Sequence, residues 1–306
     1  MRDIRKPHIK LTDLLSREDY ALIQKLQEDC VKKDPVALKL ELDYKLGVTY
    51  GENAQGLKTI NEFMYFDDTR LIGYMGICSF GGESTLEVNG MVHPEYRNQG
   101  VFKLLYTLLM DEWRRRPSDC LLLLCDRKSA SGQSFIKRTG ARYKHSEYEM
   151  FLKEERKTSP NREDGIILRK ATNSDWREIA RQNAIYFGDE EPEESSEKAA
   201  ILPEEEELRG VAIYLAEKNG EIIGKIHLQL ISGVGGIYGL GILPEYRGKG
   251  YGRALLLMGV KKLKQGGAKE IMLQVAAENA NAISLYSSSG FVETSVMDYF
   301  EMRKQA

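Results

Sequence analysis

Hydrophobic and polar positions alternate along this chain in a way that predicts interleaved strands and helices. Leu121–Cys125 is an unbroken apolar run, as in a strand buried on both faces, whereas apolar residues recur at helical spacing between Leu104 and Trp113. The pattern predicts these elements for the first half: strands near His8–Leu11 and at Ile60–Phe66, Leu71–Phe80, Leu86–Val92, Leu121–Cys125 and Ser146–Leu152, and helices at Arg17–Cys30, Pro35–Leu46, after Gly100 and at Gly132–Thr139.

The same order returns in the second half of the chain. Pro94-Glu95-Tyr96-Arg97 reappears 150 residues later as Pro244-Glu245-Tyr246-Arg247. At the same offset of 150 residues, the helix-ending Gly140 corresponds to Gly290. Asn219-Gly220 is a strong hairpin signal. The predicted elements of this half are strands at Ile166–Arg169, Val211–Glu217, Ile222–Leu230, Gly236–Ile242 and Glu270–Val275, helices at Ser174–Tyr186, Gly252–Lys264 and Asn279–Ser289, and closing strands after Gly290.

The repeat predicts two domains built on one plan. Residues 153–164 are mostly charged, include Pro160 and show no apolar periodicity, which is typical of a linker. We therefore predict an N-terminal domain at residues 1–152, a linker at 153–164 and a C-terminal domain at 165–306.

Composition narrows the class of protein. The chain has 306 residues, 42% of them hydrophobic and 29% charged, with a formal net charge of −2. This balance predicts a globular protein that does not bind nucleic acid. The charged start and the lack of a long apolar run predict a cytoplasmic protein without a membrane span. Four cysteines without a nearby histidine cluster predict free thiols and no metal site.

The stretch from Gly239 to Leu255 carries the clearest chemical signal. A strand runs into Pro244, glycines follow at 248, 250 and 252, and a helical pattern begins at once. The first N–H groups of a helix lack internal partners, so a glycine loop at this point favours phosphate. A P-loop would need Ser or Thr after Lys249, and a dinucleotide fingerprint would need Gly-x-Gly-x-x-Gly. Neither pattern is present.

This loop resembles the coenzyme A pyrophosphate loop of the GNAT family of N-acetyltransferases, in which Arg or Gln is followed by two residues, Gly, one residue and Gly or Ala. Arg247–Gly252 matches at every position, and Asn279, Leu285-Tyr286 and Gly290-Phe291 resemble the family's second signature. The resemblance covers residues 166–303 well and 60–152 more loosely. It implies an α/β fold of two tandem GNAT-like domains, each a mixed, mostly antiparallel sheet flanked by helices.

The resemblance further implies acetyl transfer from acetyl-CoA, as cosubstrate, to a primary amine. Main-chain groups near Gly241–Leu243 would bind the pantetheine arm and polarise the thioester carbonyl. Tyr286 is the general acid by the family motif, or else a ring that fills a core edge. Asn279 is a coenzyme ligand, a helix N-cap, or both. The implied coenzyme-binding residues are Gly241, Ile242, Leu243, Arg247, Gly248, Lys249, Gly250, Tyr251, Gly252 and Asn279.

The general base is left open. Family members often carry a glutamate on the strand before the loop or on the next strand, but this chain has Gly235–Gly239 and Gln274 there. The remaining candidates are His227, Glu278, Asp298 and a chain of water molecules. Without a base, a non-catalytic acyl-CoA-binding sensor or scaffold is the alternative function.

The N-terminal copy is predicted to be degenerate. Counted at the repeat offset, Tyr286 corresponds to Ile136, Asn279 to Ser129 and Gly252 to Phe102, so the acid and the last loop glycine are missing. The residues that would carry residual coenzyme binding there are Val92, Arg97, Gly100 and Val101. Glu87 on the strand before this loop is a carboxylate that the second copy lacks.

The acceptor is predicted to be a small-molecule or peptide amine. Residues 189–207 contain ten acidic side chains and one lysine, in the region that runs past the acceptor site in this family. This run either favours a cationic acceptor or is a solvated surface segment.

Overall fold

The computed structural model describes residues 2–47, 59–79, 84–154, 165–188 and 202–304. Most of the predicted linker and much of the acidic run therefore lie outside the described residues. In chain order the elements are β1 (Pro7–Thr12), α1 (Arg17–Lys33), α2 (Leu42–Gly47), β2 (Glu62–Asp67), β3 (Arg70–Cys78), β4 (Thr85–Val92), α3 (Val101–Arg115), β5 (Cys120–Asp126), α4 (Ala130–Ile136), β6 (Arg142–Leu152), β7 (Ile166–Lys170), α5 (Trp176–Phe187), α6 (Pro203–Leu208), β8 (Val211–Lys218), β9 (Glu221–Ile231), β10 (Val234–Ile242), α7 (Tyr251–Gln265), β11 (Glu270–Ala276), α8 (Ala280–Ser288) and β12 (Phe291–Arg303).

The chain divides into two compact units that are not contiguous in sequence. Unit 1 contains Met1–Glu147 and Ser295–Ala306, and unit 2 contains Tyr148–Thr294. This division differs from the predicted linear one because the last strand of the chain completes the first sheet. Met297 to Arg303 of β12 pair antiparallel with Asp126 to Cys120 of β5.

Unit 1 is a mixed sheet with helices packed on it. Its strands lie in the order β1, β2, β3, β4, β5, β12, and only the β4–β5 pair among the recorded registers is parallel. Helix α3 buries Leu105, Leu109 and Trp113 against this sheet, as the helical spacing of its apolar residues predicts. The predicted mixed, mostly antiparallel α/β fold is confirmed for this unit.

Unit 2 repeats the plan. Its strands lie in the order β6 (from Tyr148 onward), β11, β10, β9, β8, β7. The β10–β11 pair is parallel, and the β9–β10, β8–β9 and β7–β8 pairs are antiparallel. Helix α7 buries Leu255, Leu256 and Val260 in the core of the unit. The Asn219-Gly220 hairpin is confirmed, since both residues have positive φ.

In each unit the parallel pair separates before the strand reaches its glycine loop. Pairing between β4 and β5 ends at Val88 with Leu123, and pairing between β10 and β11 ends at Ile237 with Leu273. A one-residue bulge in β10 follows, between Tyr238 and Gly241. Each sheet therefore opens a gap in front of its loop.

One predicted helix is wrong over most of its length. Residues 35–41 have no regular structure, and α2 begins only at Leu42. Glu41 has a φ of 54°, a conformation that a right-handed helix cannot include. In the described ranges no helix is long and apolar enough to cross a membrane.

Candidate active site

The glycine loop of unit 2 joins β10 to α7 through a short 3₁₀ turn at Pro244–Tyr246. Gly248 and Gly250 have φ of 73° and 86°, in the left-handed region that glycine adopts without strain. Gly250 is the N-cap of α7, and no side chain caps the helix there. The first backbone N–H groups of α7 are therefore left for another partner.

Arg247 fixes the loop to the strand that precedes it. Its Nε donates a 2.9 Å hydrogen bond to the carbonyl oxygen of Ile242. Within the described part of the chain, its terminal guanidinium nitrogens form no hydrogen bond and no ion pair. Positive charge and uncapped amides therefore lie together at the start of α7.

These residues fit the pyrophosphate of a coenzyme A. A Cβ placed on Gly248 would meet nothing within 4 Å, so the main chain is open to a close approach at that point. Unpartnered amides and the positive end of α7 both favour an anion at this place.

The other predicted coenzyme residues differ in how accessible they are. Leu243 is buried, and its amide already donates to Ile223 O at 2.9 Å. Lys249 bonds to Glu245 O and is exposed, and Gly252 faces Leu285 of α8 at ordinary contact distance. Tyr251 begins α7 with its ring beneath Lys218 Nζ.

Tyr286 lies on α8 and is buried at the edge of the core of unit 2. Its ring centroid is 6.2 Å from that of Phe291, and burial raises the pKa of Tyr286 to about 12. Its side chain is thus both a core residue and a protonated phenol. Arg253 of α7, which the sequence analysis missed, holds the C-terminal end of α8 through Ser288 and Ser289.

Asn279 is a helix N-cap in this structure. Its Oδ1 accepts a 3.1 Å hydrogen bond from the amide of Ala282 at the start of α8. Its predicted contact with the coenzyme stays a prediction.

His227 is a poor candidate for the general base. Its ring stands over Gly239 at the bulge, and its Nε2 lies 3.2 Å from Lys225 Nζ. Burial, and then the positive charge of Lys225, hold the pKa of His227 well below its usual range. An ammonium donor beside Nε2 also occupies the lone pair that a base would use.

The two acidic candidates lie in different surroundings. Asp298 belongs to unit 1, where it accepts hydrogen bonds from Arg127 and Ser146, which lower its pKa although burial opposes them. It is therefore a structural ion-pair partner. Glu278 is exposed in the turn before α8.

An aromatic cluster at the bulge was also missed by the sequence analysis. Tyr186 of α5 lies against Gly241 so closely that a Cβ on Gly241 would stand 2.1 Å from its Cε2. The ammonium of the fully buried Lys225 lies 5.6 Å from the ring centre of Tyr186 and 5.4 Å from that of Phe187. Local sequence offers no signal for this cluster, because α5 and β10 are far apart in the chain.

The loop of unit 1 keeps the same backbone but has different side-chain partners. Arg97 Nε donates to Val92 O at 3.2 Å, and Gly100 caps α3 with a φ of 82°. The Arg97 guanidinium, however, forms an ion pair with Asp34. Val101, the first residue of α3, is buried.

The space beside this loop is also filled. Phe102 stands where unit 2 has Gly252, and its ring packs edge-on against Phe135 of α4 with centroids 4.7 Å apart. In unit 1 a benzyl group therefore occupies the gap between the two helices.

Comparisons with known proteins agree with this architecture. The model of the Acetyltransferase (GNAT) family matches residues 174–291. The mycothiol acetyltransferase of Paenarthrobacter aurescens is 30% identical over 243 residues, which cover 74% of this chain and 73% of that protein. The enzyme of the same name from Acidothermus cellulolyticus is 28% identical over 94% of this chain and 90% of its own length.

Two further matches differ in extent. A shorter match, 41% identical over 90 residues, covers 28% of this chain and 29% of the Streptomyces avermitilis mycothiol acetyltransferase. A solved tandem GNAT protein from the clavulanic acid biosynthesis pathway shares the fold with a TM-score of 0.73 and 14% identity, over 98% of this chain and 99% of that one.

The chain belongs to the GNAT acetyltransferase family, in its tandem form. It is an acetyl-CoA-dependent N-acetyltransferase. Among the described residues no three His, Cys, Asp or Glu side chains are grouped as a metal ion would require.

Proposed function

We propose that the C-terminal copy of the repeat carries the chemistry and transfers an acetyl group to the primary amine of a small molecule. The observation that carries this proposal is the difference between two equivalent arginines. The guanidinium of Arg97 is neutralised by Asp34, whereas that of Arg247 has no carboxylate partner in the described ranges. A pyrophosphate is therefore favoured at Arg247.

Residues of unit 2 supply binding and orientation. The amides at the start of α7 and the Arg247 guanidinium hold the pyrophosphate, and the opening between β10 and β11 admits the pantetheine arm beside Ile242. When bound, acetyl-CoA supplies a thioester whose acetyl group moves to the amine while a thiol leaves. Main-chain donors in this opening stabilise the negative charge that develops on the carbonyl oxygen.

Tyr286 holds the proton that the departing sulfur needs. A phenol with a pKa of about 12 stays protonated at neutral pH, so it acts as a donor rather than as a base. Because the side chain of Tyr286 is buried, bulk water has little access to the proton that it donates.

The proton of the acceptor ammonium leaves through water. A protonated amine has a pKa of about 10, so it must be deprotonated before attack. Strand β10 contains no carboxylate, and the lone pair of His227 Nε2 faces Lys225. Slow deprotonation predicts a rate that rises with pH toward the pKa of the free amine.

The curated relatives are named mycothiol acetyltransferases, so an acceptor of that kind is the first to test. The pure protein is incubated with acetyl-CoA and a panel of amines that includes the deacetylated form of mycothiol, with thiol release as the readout. Release that depends on one amine supports the proposal, whereas the absence of release with every amine of the panel favours the acyl-CoA sensor.

Two double variants test which of the two units performs acetyl transfer. Arg247→Ala with Gly250→Glu is compared with Arg97→Ala with Gly100→Glu, after circular dichroism has shown that both proteins are folded. The first pair should lose turnover and the second should keep it. The reverse result would assign the chemistry to the N-terminal copy.

A further inference from the structure

The ring of Tyr186 fills the space next to Gly241 that a side chain of β10 would otherwise occupy. A Cβ placed on Gly241 would stand 2.1 Å from Cε2, 2.3 Å from Cδ2 and 2.6 Å from Cζ of that ring. Real Cβ atoms essentially never lie this close to another heavy atom, so any larger residue at this position would have to move the ring. Helix α5 therefore supplies, through Tyr186, the wall beside this point of β10.

Unit 1 fills the equivalent space in the opposite way. Arg97 and Arg247 each bond to the carbonyl five residues before them, so Met91 of β4 is the counterpart of Gly241. Met91 is buried and belongs to the same core cluster as Ile23 of α1. In unit 1 the strand thus provides the side chain that packs against the helix, whereas in unit 2 the strand has a glycine and the helix provides the ring.

Hydrogen bonds along α5 restrain this ring. The hydroxyl of Tyr186 donates to Gln182 Oε1 at 2.9 Å, and Gln182 Nε2 donates to Glu178 Oε1 at 2.7 Å. Gln182 is fully buried, and its amide makes both of these bonds. Burial raises the pKa of Tyr186, which keeps its phenol protonated as the donor at neutral pH. These bonds favour a fixed wall at Gly241 over a mobile cover.

A buried ammonium lies next to the same ring. Lys225 of β9 is fully buried, its Nζ lies 5.6 Å from the ring centre of Tyr186, and it donates to Gly239 O at 3.4 Å. An alkyl chain inserted here would disturb the cation–π contact or the bond to Gly239 and could replace neither. The charge of Lys225 therefore opposes long apolar groups at this place.

The acyl group of a bound coenzyme would end beside this wall. In the proposed function the pantetheine arm enters at the glycine loop and passes Ile242, and the strand residues beyond that point are Gly241 and then the bulge. Pairing between β10 and β11 has ended at Ile237, so the opening extends along these residues. An acetyl group carries only a methyl beyond its carbonyl carbon. Longer acyl groups carry methylenes that must share the space of the Tyr186 ring.

We propose that Tyr186 limits the acyl group to acetyl by closing the end of the acyl site at Gly241. The inference rests on the proposed function, because it requires acetyl-CoA to bind to unit 2. Tyr186 acts here through the size and fixed position of its ring, and it exchanges no proton with the substrates.

Calorimetry of the full-length protein with coenzyme A, acetyl-CoA and butyryl-CoA tests the proposal without an acceptor amine. We expect the wild type to bind acetyl-CoA at least about tenfold more tightly than butyryl-CoA, because the longer chain overpacks the site. Tyr186→Ala should bring these two affinities to within about threefold of each other. The affinity for coenzyme A, which has no acyl group, should stay unchanged.

Two further substitutions of Tyr186 control this result. Tyr186→Phe keeps the ring and removes only the hydroxyl, so it should keep the preference for acetyl-CoA. Tyr186→Leu, which also removes the ring, replaces Tyr186→Ala if circular dichroism shows that the alanine variant is unfolded. The inference is wrong if the wild type binds butyryl-CoA as tightly as acetyl-CoA, or if removing the ring leaves the wild-type ratio of affinities unchanged.

Failure of the proposed function would give a different result. If coenzyme A binds equally well to the wild type and to Gly250→Glu, the coenzyme site is not in unit 2 and both proposals are wrong. If Gly250→Glu loses coenzyme A binding but Tyr186→Ala keeps the wild-type preference, only the inference about Tyr186 is wrong. With an accepted amine, the ratio of kcat/KM for butyryl-CoA to that for acetyl-CoA should rise at least about tenfold in Tyr186→Ala.

Discussion

The ring of Tyr238 covers Gly236. A Cβ placed on Gly236 would stand 2.5 Å from Tyr238 Cε2 and 2.8 Å from the phenol oxygen. The ring therefore fills the place next to the strand where related enzymes often carry a catalytic glutamate. Strand β10 thus lacks a carboxylate at a position where the Tyr238 ring already fills the space that a side chain would need.

Gly236→Glu should therefore destabilise the protein. Its side chain must displace the Tyr238 ring, and overpacking of this kind typically costs about 1–3 kcal/mol. The thermal midpoint of Gly236→Glu is compared with that of Gly236→Glu combined with Tyr238→Ala, and Tyr238→Ala alone is the control. The combined variant should lose no more stability than the control. An equal loss from Gly236→Glu in both backgrounds would show that the ring is not the obstacle.

Gly250→Glu should abolish coenzyme A binding to unit 2. The new carboxylate would lie at the N-terminus of α7, in the place of the phosphate, while Gly250→Ala introduces only the strain of a side chain at a φ of 86°. Calorimetry with coenzyme A should show loss of binding for the glutamate and a smaller effect for alanine. If Gly250→Glu and Gly250→Ala bind coenzyme A equally well, the loop is not part of the coenzyme site.

Tyr286→Phe should separate binding from turnover. The phenyl ring keeps the packing against Phe291 but has no proton to give, so turnover should fall about 10²-fold or more while acetyl-CoA affinity is kept. Because burial raises the pKa of Tyr286 to about 12, this group should produce no alkaline decline of the wild-type rate below about pH 11. Unchanged turnover would make Tyr286 a packing residue only.

Local sequence pattern was sufficient for most elements of the fold. The apolar periodicity placed α3 and β5 correctly, and the repeated Pro-Glu-Tyr-Arg motif located both loops. The partner of the last strand could not be predicted, because the pattern of β12 alone does not specify the strand with which it pairs. Pairing with β5 depends on contacts between residues that are far apart in the chain, such as Tyr299 and Leu124.

Strand register gives Glu87 a different counterpart in unit 2 from the one that counting residues gives. At the repeat offset, Glu87 corresponds to Ile237 by counting. By pairing it corresponds to Gly236, because Glu87 lies opposite Leu122 and Gly236 lies opposite Met272. The bulge in β10 adds one residue after this point. No periodicity in the sequence signals that insertion.

Asp34→Asn should release the arginine of the first loop. In the wild type Asp34 pairs with Arg97, and the amide would remove the charge while keeping the shape. In a Gly250→Glu background, calorimetry should detect weak coenzyme A binding in Asp34→Asn that is absent when Asp34 is present. Arg97→Ala added to the same protein is the control and should abolish the gain. No gain would mean that Phe102, and not the ion pair, blocks unit 1.

Glu87→Gln should stabilise the protein more at pH 8 than at pH 5. The pKa of Glu87 is raised by burial from 4.5 to about 7, so the folded protein binds the proton more tightly than the unfolded chain. Ionisation of this carboxyl then opposes folding, a penalty that is absent below about pH 4.5, grows as pH rises toward 7 and is on the order of 3 kcal/mol above it. The midpoint gain at pH 8 should be several degrees larger than at pH 5. Glu18→Gln, exposed on α1, is the matched control for the loss of one carboxylate. An equal shift for Glu87→Gln at both pH values would mean that burial does not raise the pKa of its carboxyl.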